Sequence, residues 1–242
     1  STLFPYTTLF RSLDVTASFS PLFFTAPTGE LCPAFQGVHF LNLRGLCPHL
    51  ITEVTILSED LSFVDACTED HFRAMSLIHA LGWRDTYRGY VPDEYMAREI
   101  TDERWVGQFR TDYETGRCHG LLLYREDTPV ACINYGPART ENLNAGQPSA
   151  FPNDAYQDWG EIVSFYTHPE ERGRGYGGML FDEVVRRLRT LGFSKQFVFV
   201  LRENEKARRF YARHGFSWDG THAEIPFPPD AVCVDLRYVR TF

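Results

Sequence analysis

Residues 161–178 read EIVSFYTHPEERGRGYGG, and this stretch decides how the rest of the chain is understood. An apolar run, Ile162 to Tyr166, has the character of a buried strand and stops at His168-Pro169. A basic, glycine-dense turn follows: Arg172, Gly173, Arg174, Gly175, Tyr176, Gly177 and Gly178. Met179, Leu180, Val184, Leu188 and Leu191 then recur at helical spacing, with Asp182, Glu183, Arg186 and Arg187 between them. The order is strand, turn, amphipathic helix. Glycine lets the backbone approach a ligand closely and turn its N–H groups toward one point. A helix start adds unpaired N–H groups and the positive end of its dipole. Such a turn suits a phosphate or pyrophosphate, and Arg172 and Arg174 can add charge-assisted contacts.

Two patterns fit these letters. Gly173-x-Gly175-x-x-Gly178 matches the dinucleotide fingerprint, and Glu203 lies about where a ribose-binding acid belongs. Arg172-x-x-Gly175-x-Gly177 resembles instead the pyrophosphate loop of the GNAT acetyl-CoA-dependent N-acetyltransferases. Context separates them. In a dinucleotide fold the strand runs almost directly into the first glycine, whereas here Thr167-His-Pro-Glu-Glu-Arg172 intervenes and Pro169 ends the strand. Only 64 residues follow Gly178 in this chain of 242, short for a doubly wound sheet beginning there.

A second stretch supports the same resemblance. Gln196–Leu201 reads as a buried strand. Asn204-Glu-Lys-Ala207-Arg-Arg-Phe210-Tyr211-Ala-Arg-His-Gly215-Phe216 follows, with Asn204 placed as a helix N-cap and Gly215 as the residue that ends the helix. This N-x-x-A-x-x-F-Y-x-x-x-G-F run closely resembles the second GNAT signature. His168, before Pro169, shapes its turn, and His214 sits where it favours the helix dipole.

Elsewhere the signals are coarser. Leu61–Ala66 reads as a strand, and Thr68 as the N-cap of a helix striped by Phe72, Met75, Ile78, His79, Leu81 and Trp83. Thr101 is placed to cap a second helix carrying Trp105, Val106 and Phe109. Gly120–Tyr124 and Val130–Tyr135, joined by a turn, read as a β-hairpin. Residues 136–157 are rich in turn formers, a loop length that is often functional. Ala231–Tyr238 alternates like a terminal strand.

Composition sets the bounds. A net charge of −8 argues against sequence-independent nucleic-acid binding. The six cysteines, 32, 47, 67, 118, 132 and 233, form no CxxC pair and no His/Cys cluster, so no metal site is expected. No run of 18 apolar residues could cross a membrane, and the N-terminus lacks the order of a signal peptide, so a cytoplasmic location is expected. Residues 1–12, STLFPYTTLFRS, resemble a translated sequencing-adapter oligonucleotide, and 13–53 show no period. We therefore expect 1–53 to be a non-domain extension, either arising from the gene model or disordered, and 54–242 to be the domain.

The resemblance implies an α/β (α+β) fold: a mixed, mostly antiparallel sheet with two splayed parallel strands and helices on both faces. It implies that the arm of acetyl-CoA pairs with the edge Phe165-Tyr166-Thr167. The pyrophosphate would lie on Arg172, Gly173, Arg174, Gly175, Tyr176 and Gly177, and Asn204 would bond the cofactor's amide. Glu161 would be the general base and Tyr211 the general acid. A backbone N–H near Val163–Phe165 would serve the oxyanion. GWRDTYRGYVPDEYM (82–96) resembles the family's first-helix region, where Trp83, Tyr87 and Tyr90 could wall the acceptor site. Asn142, Asn144 and Tyr156 are further candidates. The expected reaction is direct acetyl transfer to a primary amine of a small molecule or of a peptide or protein N-terminus, with a homodimer allowed. Cys132 or Cys233 as a covalent relay is disfavoured. Three alternatives stay open: a longer acyl donor, a non-catalytic acyl-CoA sensor and a NAD-dependent oxidoreductase. Deleting 1–53 is expected to leave a soluble, active domain; losing the folding transition on truncation would contradict the assignment of that segment.

Overall fold

The computed structural model describes residues 54–58, 60–139 and 156–242. The 1–53 extension, Asn142 and Asn144 lie outside the described residues. The strands are β1 (Val54–Ser58), β2 (Leu61–Asp65), β3 (His119–Arg125), β4 (Thr128–Pro137), β5 (Trp159–Thr167), β6 (Lys195–Leu201), β7 (Ser217–Phe227) and β8 (Ala231–Thr241). The helices are α1 (Glu69–Thr86), α2 (Asp93–Glu99), α3 (Val106–Thr115), α4 (Tyr176–Thr190) and α5 (Glu205–Arg213). The eight strands form one sheet in the order β1-β2-β3-β4-β5-β6-β8-β7. Among the described residues β5 and β6 are its one parallel pair; the other neighbours run antiparallel.

Leu121, Leu122 and Leu123 explain how the layers stack. All three are fully buried, though side chains alternate faces along a strand. Leu121 and Leu123 pack with Ile133, Ile162 and the α4 residues Leu180, Phe181, Val184 and Leu188. Leu122 packs the other way, with Phe72, Met75 and Ile78 of α1 and Val106 and Phe109 at α3. A third cluster joins Ala80, Tyr95, Met96, Leu201, Phe227 and Cys233 on the α1–α2 side. Each fully buried side chain of this size stabilises the fold by about 1.5–3 kcal/mol.

Several local expectations meet their elements. Thr68 caps α1 by accepting from the His71 N–H (3.3 Å), and Asn204 caps α5 by accepting from Ala207 N–H (3.1 Å). One needs correction. Thr101 caps nothing: α3 begins at Val106, with Trp105 in the cap position, and the Trp105 N–H is met by Ser76 Oγ of α1 at 3.0 Å. Tertiary contact replaces the local cap there. The sequence reading also missed β7, an edge strand whose side chains are mostly exposed.

Close approach of α1 to β5 fixes the geometry that matters later. A Cβ on Gly82 would lie 2.3 Å from Cδ1 and 2.9 Å from Cγ of Tyr166. The clash is with the root of a packed ring rather than a flexible tip. Gly82→Ala gains up to about 1 kcal/mol of helix propensity but overpacks this contact at about 1–3 kcal/mol. A net loss of stability is expected in urea unfolding; a variant as stable as the parent would refute the contact.

Candidate active site

The site begins where hydrogen bonding stops. β5 and β6 pair in register from Trp159↔Lys195 to Ile162↔Val198 and no further. On its other edge β5 stays paired to β4 as far as Thr167, and β6 stays paired to β8 as far as Leu201. Asn134 pairs with Ser164 and Tyr135 with Ile162, which leaves Val163 as an extra residue in β5. A bulge of this kind sharpens local twist and turns a strand away from its neighbour. The result is a gap bordered by Val163–Thr167 on one side and Val198–Leu201 on the other, within a cleft of about 2080 Å³.

The basic turn closes one end of this cleft. Gly173 (φ 83°) and Gly175 (φ 87°) are both left-handed, and a Cβ on either would meet nothing within 4 Å. Backbone conformation therefore demands glycine there, and the space above the turn is open. Gly175 is the N-cap of α4, whose hydrogen-bond ladder starts at Met179 N–H to Gly175 C=O (3.2 Å). The amides before Met179 are thus presented at the helix end. Gly177 has a different need: a Cβ would come within 3.0 Å of Thr167 Oγ1. Arg172 lines the cleft and ion-pairs with Asp85 of α1, holding that carboxyl below its usual range. Arg174 is outside the cleft lining, more than half exposed and 3.4 Å from Glu171.

From the opposite wall come Asn204 and Tyr211, both lining the cleft. Tyr211 is 5% exposed and packed beside Phe181 (5.5 Å) and Tyr238 (6.3 Å). Burial, reinforced by the Asp235 carboxylate, raises its phenol above the ordinary range, so it keeps its proton at neutral pH.

A splayed parallel pair, a glycine turn on a helix N-terminus and a buried tyrosine together coincide with a family match. The model described as the acetyltransferase (GNAT) family covers residues 64–216. The chain belongs to that family. Among solved structures, the PaiA N-acetyltransferase of Thermoplasma acidophilum, in complex with coenzyme A, has a TM-score of 0.55 at 15% identity, covering 75% of this chain and 99% of that one. A ribosomal-protein-alanine N-acetyltransferase from Brucella melitensis has a TM-score of 0.56 at 18% identity, covering 74% and 99%. The microcin C7 self-immunity acetyltransferase MccE, bound to acetyl-CoA and AMP, has 0.54 at 10%, covering 76% and 94%. At these identities the likeness is one of fold. No curated protein matches the sequence significantly. Family and fold set aside the dinucleotide reading, and Glu203, its ribose candidate, pairs with Arg202 at 2.8 Å.

Glu161 departs most from its expected place in this GNAT chain. Its side chain is 2% exposed and it does not line the cleft. Its two oxygens accept from the Arg139 backbone N–H (3.0 Å), Nε (3.0 Å) and Nη2 (2.5 Å). A base needs an oxygen that substrate can reach, and this carboxylate is sealed against a guanidinium. Arg139, not Glu161, borders the cleft, beside Asp112 and Asn134. Asp112 accepts from Gln108 (2.9 Å) and Asn134 (3.3 Å); burial raises its carboxyl while these amides oppose the shift.

The aromatic wall is larger than the sequence suggested. Trp83, Tyr87 and Tyr90 all line the cleft, with Trp83 stacked on Tyr87 at 4.0 Å. Trp105 and His79 join them. The His79 ring lies between Trp105 (4.0 Å) and Tyr166 (4.5 Å), and burial, with Arg104, lowers it to about 3, so it stays neutral. Hydrophobic periodicity had marked both only as packing residues. Burial pushes the Cys233 thiol up to about 11 and raises Cys132 as well, which leaves neither a thiolate at neutral pH. His168 accepts from Glu170 N–H (3.4 Å) in its turn, and His214 Nδ1 bonds Phe210 C=O (2.9 Å). Among the described residues there is no cluster of three or more His, Cys, Asp or Glu that could hold a metal.

The Glu161–Arg139 pair yields a stability prediction. Glu161→Ala removes the buried carboxylate that accepts three hydrogen bonds from Arg139, at about 2–4 kcal/mol once Arg139's residual exposure is allowed for. A loss below about 1 kcal/mol in urea unfolding, the value typical of exposed pairs, would contradict the sealed geometry.

Proposed function

We propose that this GNAT enzyme moves the acetyl group of acetyl-CoA to a primary amine of a small molecule or of a peptide or protein N-terminus, by direct attack in a ternary complex. One observation carries the reading: the edge of β5 that parts from β6 after Ile162 is followed, after the short Pro169–Glu171 turn, by glycines that end in a helix N-terminus. The Phe165–Thr167 edge offers backbone groups to an extended arm, as in strand addition. Arg172 and the backbone of Gly173, Gly175, Tyr176 and Gly177 would hold the pyrophosphate. Asn204, whose oxygen caps α5, keeps its amide nitrogen as a donor toward the cofactor. Acetyl-CoA, when bound, supplies an activated thioester.

The chain's own residues then have three tasks. Tyr211 holds a proton in a buried phenol and gives it to the departing sulfur. The aromatic wall of Trp83, Tyr87 and Tyr90 excludes water from the acceptor side. Glu161 anchors Arg139 at the cleft's edge. We also assign the reaction to the cytoplasm. The described cysteines Cys118, Cys132 and Cys233 are free thiols, in keeping with a reducing compartment, and among the described residues no helix is long and apolar enough to cross a membrane.

Two measurements test this. Acetyl-CoA and CoA should raise the melting temperature while NAD and ATP do not. Gly175→Glu should abolish the effect, because it puts a side chain at positive φ and a like charge where phosphate belongs; stabilisation by NAD alone would overturn the reading. Tyr211→Phe should lower kcat about 100-fold or more with the acetyl-CoA KM changed by less than about threefold. An unchanged kcat removes Tyr211 as the acid, and binding without turnover on any amine would favour a sensor domain.

A further inference from the structure

We infer that Asp235 receives the acceptor: its carboxylate binds the incoming primary ammonium and takes the proton that must leave before nitrogen can attack. The inference rests on the acetyltransferase reading above and adds to it a residue and a substrate class.

Asp235 lies on β8 opposite Leu201, at the end of β6 where the parallel pairing with β5 has already stopped. It lines the cleft. By strand alternation it shares a face with Leu201 and Cys233, whose cluster includes Tyr95 and Phe227 and is flanked by Trp83 and Tyr87. That is the acceptor side of the sheet. Its Oδ1 is buried and accepts no hydrogen bond among the described residues. A buried, unpartnered carboxylate oxygen is costly unless something arrives to satisfy it.

The other carboxylates along the cleft are already engaged. Asp85 is held by Arg172, Asp112 by Gln108 and Asn134, Glu171 by Arg125, Glu203 by Arg202, and Glu205 by Arg209. Glu224 is exposed on the edge strand. Asp235 is thus the half-buried acid that combines an unmet oxygen with no ion pair among the described residues; Glu171 Oε2 also accepts no hydrogen bond but lies 3.4 Å from Arg174. Tyr211 is close enough for its phenol to feel the Asp235 charge. The proposed base and the proposed acid both reach the gap.

Electrostatics agree. Burial first, then the Glu203 carboxylate, lift Asp235 to about 6. The groups around it are Glu203, Tyr211, Cys233 on its own strand, and Arg237 two residues along. Arg237 donates to Asp219 (2.8 Å) and Thr221 (2.9 Å) and lies over the Tyr156 ring; its buried Nη1 has no acceptor, and it forms no ion pair with Asp235 among the described residues. A cation is therefore wanted, and an ammonium supplies one. On transfer one N–H bond breaks, its electron pair stays on nitrogen as the nucleophile, and the proton forms an O–H bond on Asp235. Trp83, Tyr87 and Phe227 suit an apolar or aromatic body behind the ammonium. A carboxylate beside the amine would face Asp235 and Glu203 and be disfavoured.

The test uses the full chain, acetyl-CoA with thiol detection, and three amines: 2-phenylethylamine, spermidine and L-phenylalanine. Wild type should acetylate 2-phenylethylamine best and L-phenylalanine at least about tenfold worse. Asp235→Asn should cut kcat/KM about 100-fold or more, and the acid limb near pH 6 in the wild-type profile should be absent from the variant. Asp235→Glu should recover part of the rate. The folded carboxyl titrates above its unfolded value, so its ionisation costs stability as pH rises through about 6. Asp235→Asn removes that cost and should not lower the melting temperature at pH 8, and acetyl-CoA should stabilise the variant as it does wild type. Turnover by Asp235→Asn within about threefold of wild type, or loss of its acetyl-CoA stabilisation, overturns the assignment. Acetyl-CoA stabilisation with no acetylation of any of the three amines by wild type also overturns it. Failure of acetyl-CoA to stabilise wild type would instead refute the acetyltransferase reading and take this inference with it.

Discussion

Everything distinctive in this chain depends on the hydrogen bonds that β5 and β6 do not make. Parallel strands normally pair along their length, and leaving backbone groups unpaired inside a protein is expensive. Here the pairing ends at Ile162↔Val198 while both strands continue, each secured by its outer neighbour. The bulge at Val163 starts the divergence, and the apolar packing of α4 on one face and α1 on the other keeps it open. The edge that β5 and β6 do not share is tolerable because it borders a cleft that water or an extended ligand can enter. The basic turn follows β5 after the short Pro169–Glu171 segment, so one interruption in one ladder provides both a channel and the proposed anion-binding end.

Charge is distributed around this gap in two ways. Most acidic groups are neutralised by arginine: Glu161 by Arg139, Asp85 by Arg172, Glu171 by Arg125. These pairs tie separate elements together, at a desolvation cost that makes them position-setting more than stabilising. Asp235 lacks such a partner. The contrast between sealed carboxylates and one left open is what separates structural acids from a candidate base.

The parts of this architecture set by local rules could be read from the letters. Glycines at Gly173 and Gly175, forced by positive φ, and the Asn204 cap are local requirements, so the turn and the start of α5 were legible as structure. Long-range choices were not. Glu161 looked like a base because its partner, Arg139, lies 22 residues earlier in a stretch without period. Thr101 looked like a cap because nothing local announces that Ser76 will meet the Trp105 amide. The edge strand β7 escaped because its alternation is mostly polar and interrupted by Gly220 and Pro226. Asp235 read as one more residue of an alternating strand, and its meaning depends on Leu201, Glu203 and Tyr211, which only the folded sheet brings near.

Hydrogen–deuterium exchange with and without CoA tests the central claim most directly. If the gap between β5 and β6 is the donor site, CoA should protect the backbone amides of 163–167 and 173–178 together, as the added arm and its phosphates take up their hydrogen bonds. Protection confined to other segments, or to the turn without the β5 edge, would contradict the account.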